Sequence, residues 1–200
     1  KNMAPVTILS HSLGGMISLQ YAGLYPDSVK SVVAIEGLGA SPAMLAKNAG
    51  KTIDVRLDDW AKELRKLSGR SPRRYASLED AFRRMQEENP HLSEEQARHL
   101  TVHGANQNED GTYSWKFDNY VRIFRPYGLS GDEVRHLWSR IACPTLLIRG
   151  TESWASDPEE DGRLEPFQNA TVAAIEGAGH WAHHDRLDVF LDLVRKHLAN

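Results

Sequence analysis

Cysteine occurs once in the 200 residues, at position 143. A lone Cys143 cannot close an internal disulfide, and no partner stands at zinc-ligand spacing from it. That composition suits a reducing, cytoplasmic compartment. No apolar run approaches the ~18 residues of a membrane span, so no membrane association is expected. Neither sign of charge dominates: 24 lysines and arginines stand against 27 aspartates and glutamates, a formal net charge of −3. Nucleic-acid binding needs a concentrated basic face, and this balance argues against it. Neither a glycine-rich phosphate loop nor a dinucleotide fingerprint is present, and no cofactor is expected. The sequence opens Lys1-Asn2-Met3 with no signal-like segment, and it holds no repeat or low-complexity tract. With 40% hydrophobic and 26% charged residues, it reads as one globular domain or a domain with a sizeable insertion.

Four short apolar runs stand out: 6–9, 32–35, 145–148 and 171–175. They lack polar/apolar alternation, which suits parallel strands covered on both faces. Between the first two, Leu13, Ile17, Tyr21 and Leu24 fall on one helical face, and Pro26 stops the helix. After the last run Asp185 is a candidate N-cap, with Asp188 in the first turn of a closing helix. Strand and helix alternate, so the fold class is α/β.

The middle differs. Residues 41–140 read as a mostly helical insertion between core segments 1–40 and 141–200. Ile53, Leu57, Trp60, Leu64 and Leu67 form one apolar stripe. Ser77 before Asp80, Ser93 before Gln96 and Ser130 before Glu133 resemble capping boxes. Asn108 to Gly111 is a turn, followed by alternating Tyr113, Trp115 and Phe117, which predicts a short hairpin.

The sharpest chemical feature is Ser10-His11-Ser12-Leu13-Gly14-Gly15, set between an apolar strand and a helix. Acyl transfer needs a hydroxyl at a tight turn with a backbone N–H aimed at the developing oxyanion. A strand-to-helix elbow provides both. The usual pattern is Gly-x-Ser-x-Gly. Gly14 matches it, and Ser10, small enough to fit, replaces the first glycine. A polar turn that merely starts a helix would look similar. The second feature is Gly177-Ala178-Gly179-His180-Trp181, directly after the last apolar run. A general base belongs on a loop at the carboxyl end of a strand, and two glycines give that loop its freedom.

At this point the chain resembles the α/β-hydrolase fold superfamily, in particular its cap-bearing, esterase-like serine hydrolases. The resemblance rests on residues 10–15, the insertion, Cys143-Pro144-Thr145-Leu146-Leu147-Ile148-Arg149-Gly150, and 177–180. It implies Ser12 as nucleophile, His180 as general base and then acid, and the Leu13 N–H as an oxyanion donor. It also implies a sheet with strands before the elbow, so the chain looks like the carboxyl-terminal part of such a sheet, with about four mostly parallel strands. Without the second oxyanion donor those strands carry, the isolated chain is expected to be weak or inactive.

The triad acid has two candidate positions. Relatives often place it at Gly-x-x-Asp after the strand at 145–149, and here Ser153 occupies the aspartate position, with Glu152 one residue off and Asp157 further along the loop. Others place it at the end of the strand after the nucleophile helix, where Glu36 stands. A carboxylate ending an apolar strand needs a partner, and an imidazolium would serve. Glu36 is favoured over Glu152.

His11, Trp154 and Trp181 are candidate substrate contacts, and Trp138 is either that or core. The stretch His180 to Asp185 looks like a metal cluster, yet the triad and a helix start claim its ends, so no metal is expected. Arg65, Lys66, Arg70, Arg73 and Arg74 have acidic neighbours and read as a solvated surface. The expected activity is hydrolysis of a small-molecule carboxylic ester or related acyl compound. The competing reading is a non-catalytic hydrolase-like module that binds a partner.

Overall fold

The computed structural model of the chain describes residues 3–90, 92–123 and 127–199. Lys1 and Asn2 lie outside the described residues. The described residues form two compact units: Lys1–Gly50 with Leu129–Asn200, and Lys51–Gly128.

The first unit is built on four parallel strands, β1 (Val6–His11), β2 (Val29–Ile35), β5 (Thr145–Gly150) and β6 (Ala170–Ile175), side by side in that order. β3 (Ala105–Gln107) and β4 (Tyr113–Trp115) belong to the second unit. The unbroken apolar runs of β2 and β5 are explained by their place: both are central and almost wholly buried. Side chains still alternate between layers. Val33, Ile35, Leu146 and Ile148 pack with Ile175, Phe190 and Val194 on one face. Val32, Ala34 and Leu147 pack with Leu19, Ala22, Trp138 and Ile141 on the other. Helix α8 (Leu187–Leu198) covers the first face; α1 (Leu13–Leu24) and α6 (Gly131–Ser139) cover the second.

Helix α1 corrects the sequence reading. Leu13, Ile17, Tyr21 and Leu24 do share a face, but that face is turned away from the sheet, with exposures of 53%, 58%, 39% and 54%. The buried side is Gly15, Ser18, Leu19, Ala22 and Gly23. Small residues win because they let the helix backbone lie against the sheet. A Cβ at Gly15 would stand 2.5 Å from the Gly37 Cα.

The second compact unit is Lys51–Gly128, so α2 (Pro42–Ala49) and α6 group with the α/β unit. Trp138 and Ile141, at and beyond the end of α6, are buried in its core. Asp185 does not cap the last helix. It ends a separate four-residue helix, α7 (Ala182–Asp185), and α8 starts without a side-chain cap.

The second unit holds α3 (Ile53–Ser68), α4 (Leu78–Glu88), α5 (Glu94–Gly104) and a hairpin of β3 (Ala105–Gln107) and β4 (Tyr113–Trp115). Ser93 and Gln96 form a full capping box, as do Ser130 and Glu133 at α6, and the Ser77 hydroxyl accepts from the Asp80 N–H. The Trp115 indole donates to the Tyr75 hydroxyl at 3.1 Å. In α3 the expected stripe exists, but none of its residues is buried. No helix among the described residues is long and apolar enough to cross a membrane.

Candidate active site

β1 and β2 end at the same level, with His11 opposite Ile35. The next residue on each strand leaves the sheet abruptly. Ser12 has φ 53° and Glu36 has φ 50°, a region non-glycine residues enter at a cost of about 1–3 kcal/mol each. Both turns are fixed by backbone bonds: Ser12 N–H donates to the Ile35 carbonyl at 2.8 Å, and Glu36 N–H to that of Ile148 at 2.8 Å. Ser12 therefore stands between β1 and α1, where the Leu13 N–H opens the helix without an intrahelical acceptor. Ser10 fits the elbow: its hydroxyl reaches the Val33 carbonyl at 3.4 Å, and a Cβ at Gly14 would still lie 3.7 Å from its own Cβ.

His180 lies beyond β6 on a loop bound tightly to the end of β5. A Cβ at Gly150 would come within 2.2 Å of the Ala178 carbonyl oxygen, so only glycine allows this approach. Gly177, at φ 64°, donates to Thr151 Oγ1 at 2.9 Å, and Gly179 donates to Asp185 Oδ2 at 2.8 Å. The imidazole then spans two elements. Its Nε2 is 3.0 Å from Ser12 Oγ, and its Nδ1 is 3.4 Å from Glu36 Oε2.

The Glu36 side chain is fully buried, and buried carboxylates are costly unless bonded. It has three donors at hand. Gly150 N–H reaches Oε1 at 2.7 Å, Ser153 Oγ–H reaches Oε2 at 2.8 Å, and His180 is the third. Ser153, which stands where relatives often carry an aspartate, is thus a donor to Glu36, a contact that no local sequence pattern signals. Its hydroxyl also accepts the Ala155 N–H at 3.2 Å.

The alternative acid, Glu152, is not brought to His180. Its side chain is exposed, and its N–H donates to the Ala178 carbonyl at 2.9 Å. Asp157 pairs with Arg149 at 3.2 Å. Trp154, 67% exposed, has its ring 5.2 Å from that of His180. Trp181 lies 5.6 Å from the His184 ring, and Trp138 is core, stacked on Phe167 at 5.2 Å.

His11, expected to face substrate, has Nε2 2.9 Å from the His180 main-chain carbonyl. Its ring is 4.8 Å from His180 and 4.7 Å from His183, and His183 is 4.3 Å from His184. Burial holds the His11 pKa below the usual histidine value. His183 is pushed down to about 4, first by burial and then by the neighbouring imidazoles. Its Nδ1 is buried with no hydrogen-bond partner. No group of three or more potential ligands among the described residues could hold a metal ion.

A parallel sheet with a strained serine at a strand–helix elbow, a histidine after the last strand and a buried carboxylate behind it defines the α/β-hydrolase class of fold. A family profile described as alpha/beta hydrolase fold matches residues 2–187. The chain belongs to that family. Esterase YbfF of Escherichia coli (strain K12) is 24% identical over 202 residues, which cover 96% of this chain and 66% of that protein. A serine hydrolase-like protein of Danio rerio is 24% identical over 186 residues, 87% of this chain and 55% of that protein. The solved structure of E-2-(acetamidomethylene)succinate hydrolase shares the fold at a TM-score of 0.74 and 20% identity, covering 99% of this chain and 68% of that one. The chain spans about three-fifths of the length of the curated relatives it matches.

Proposed function

We propose that the protein carrying this chain is a serine hydrolase of small-molecule carboxylic esters or related acyl compounds. The distance of 3.0 Å between Ser12 Oγ and His180 Nε2 carries this reading, with Glu36 behind the ring. Ser12 Oγ attacks the acyl carbon while Nε2 takes its proton. The tetrahedral oxyanion faces the Leu13 N–H. The imidazolium gives its proton to the leaving alkoxide, and the C–O bond breaks to leave an acyl-serine. Water, deprotonated by His180, then releases the acid and restores Ser12. Glu36 holds the ring's tautomer and balances the imidazolium. The names of the Escherichia coli and Danio rerio relatives agree with this chemistry. The reading includes no metal, cofactor, nucleic acid or membrane, and a cytoplasmic setting in keeping with the single Cys143.

The test is covalent labelling by a fluorophosphonate, in the protein as its own gene encodes it. We expect labelling at Ser12 and its loss in Ser12→Ala. A silent Ser12 in the folded protein would overturn the reading in favour of a binding module.

A further inference from the structure

We propose that His11 is a positioning residue for the catalytic base: by donating Nε2–H to the main-chain carbonyl of His180, it keeps the base in register with the nucleophile. This rests on the assignment of Ser12 and His180 made above.

The loop carrying His180 is held on one side by many bonds. Gly177 donates to Thr151, Gly179 to Asp185, and the Ala178 carbonyl accepts from Glu152. Those partners belong to the segment after β5 and to α7, the side on which Glu36 also receives Gly150 and Ser153. They fix the base relative to its acid. None of these bonds reaches β1 itself, two strands from β5, at whose end Ser12 sits. Toward β1 the connection of this loop is reciprocal. The His180 side chain reaches Ser12 Oγ, and the side chain of the residue before Ser12 reaches the His180 carbonyl. The bond to Ser12 must break and re-form in every turnover. The bond from His11 takes no part in proton transfer and can persist through the cycle.

Its chemistry suits that role. A carbonyl oxygen only accepts, so His11 Nε2 must carry the hydrogen. Burial among His180, His183 and His184 favours the uncharged ring, with Glu36 the nearby opposing charge. A neutral donor clamps the loop without setting a second cation beside the His180 imidazolium of the transition state.

The experiment compares His11→Leu, His11→Asn and His11→Gln with wild type and Ser12→Ala. Glutamine carries its amide nitrogen at about the reach of imidazole Nε2, whereas asparagine falls one methylene short. The readouts are kcat and KM for 4-nitrophenyl acetate, the fluorophosphonate labelling rate and the unfolding temperature, all in the protein as its own gene encodes it. We expect His11→Leu and His11→Asn to lower kcat and labelling by about tenfold or more with KM unchanged. His11→Gln should recover most of both. Wild-type kcat in His11→Leu or His11→Asn would overturn the proposal. So would equal losses in Asn and Gln accompanied by a lower unfolding temperature, because the histidine would then serve folding alone. If wild type itself leaves Ser12 unlabelled, the hydrolase reading falls and this inference with it. Labelled wild type with unimpaired His11 variants removes only the inference.

Discussion

His180 has two unlike neighbourhoods, both made of titratable side chains a few ångströms apart. Along one line lie Ser12 and Glu36, at 3.0 and 3.4 Å from its two ring nitrogens. On the other side sit His11, His183 and, beyond it, His184, ring against ring at 4.3–4.8 Å. The difference is in hydrogen-bond satisfaction. Glu36 is wholly buried, yet both oxygens have donors from the end of β5. The His183 Nδ1 is buried with none, and its pKa falls to about 4. A buried ionisable group keeps its charge where the fold provides partners for it, as at Glu36, and is driven toward the uncharged form where it does not, as at His183.

The largest expected effect strikes the first neighbourhood. Glu36→Gln keeps the shape and removes the charge that favours the imidazolium, so kcat should fall by about 10³–10⁴. Glu152→Gln should stay within about twofold, since its side chain is exposed and makes no contact with His180 among the described residues. Steady-state turnover of both variants decides it; collapse in Glu152→Gln alone would reverse the assignment of the acid. A smaller effect belongs to Ser153. Ser153→Ala leaves Oε2 with His180 alone and frees the carboxylate to turn about its last bond. A loss of about tenfold in kcat with KM unchanged is expected, and Ser153→Thr, which keeps the hydroxyl, should retain activity. Equal turnover in Ala and Thr variants would show that Gly150 fixes Glu36 unaided.

Much of this is legible in the sequence, and each exception has a physical cause. The central strands could be read because burial on both faces leaves an apolar run with no other plausible use. The approach of Ser12 and His180 is foreshadowed because glycines and apolar strands flank both, in the chain order of the fold that the sequence resembles. The buried face of α1 was misread because hydrophobic spacing records which residues share a face and says nothing of which face the sheet prefers. There the small residues Gly15, Ser18 and Ala22 allowed closer packing than Leu13 and Ile17 could. Ser153 and Asp185 escape the sequence for different reasons. Ser153 bonds across the fold to Glu36, and a partner over a hundred residues away leaves no local pattern. Asp185, only six residues from Gly179, is hidden by an equally good local role as a helix cap.

The smallest effect tests the second neighbourhood, and it is read in stability instead of turnover. His183 has a pKa of about 4 in the folded chain, against 6.5 for an unhindered histidine. The unfolded chain therefore binds a proton at this position at a pH where the folded chain does not. Its contribution to stability is intact above about pH 6.5 and drains away as pH falls toward 4, because protons then favour the unfolded state. His183→Leu fills similar space without a titratable group. Its unfolding temperature should drop less steeply than that of wild type between pH 6.5 and 4, with the two curves parallel above pH 7. The imidazole is only half-buried, so the divergence will be modest. Parallel curves over the whole range would mean that His183 finds a proton-binding partner in the folded protein, and the contrast between the two sides of His180 would then be one of reach, with both sides able to carry charge.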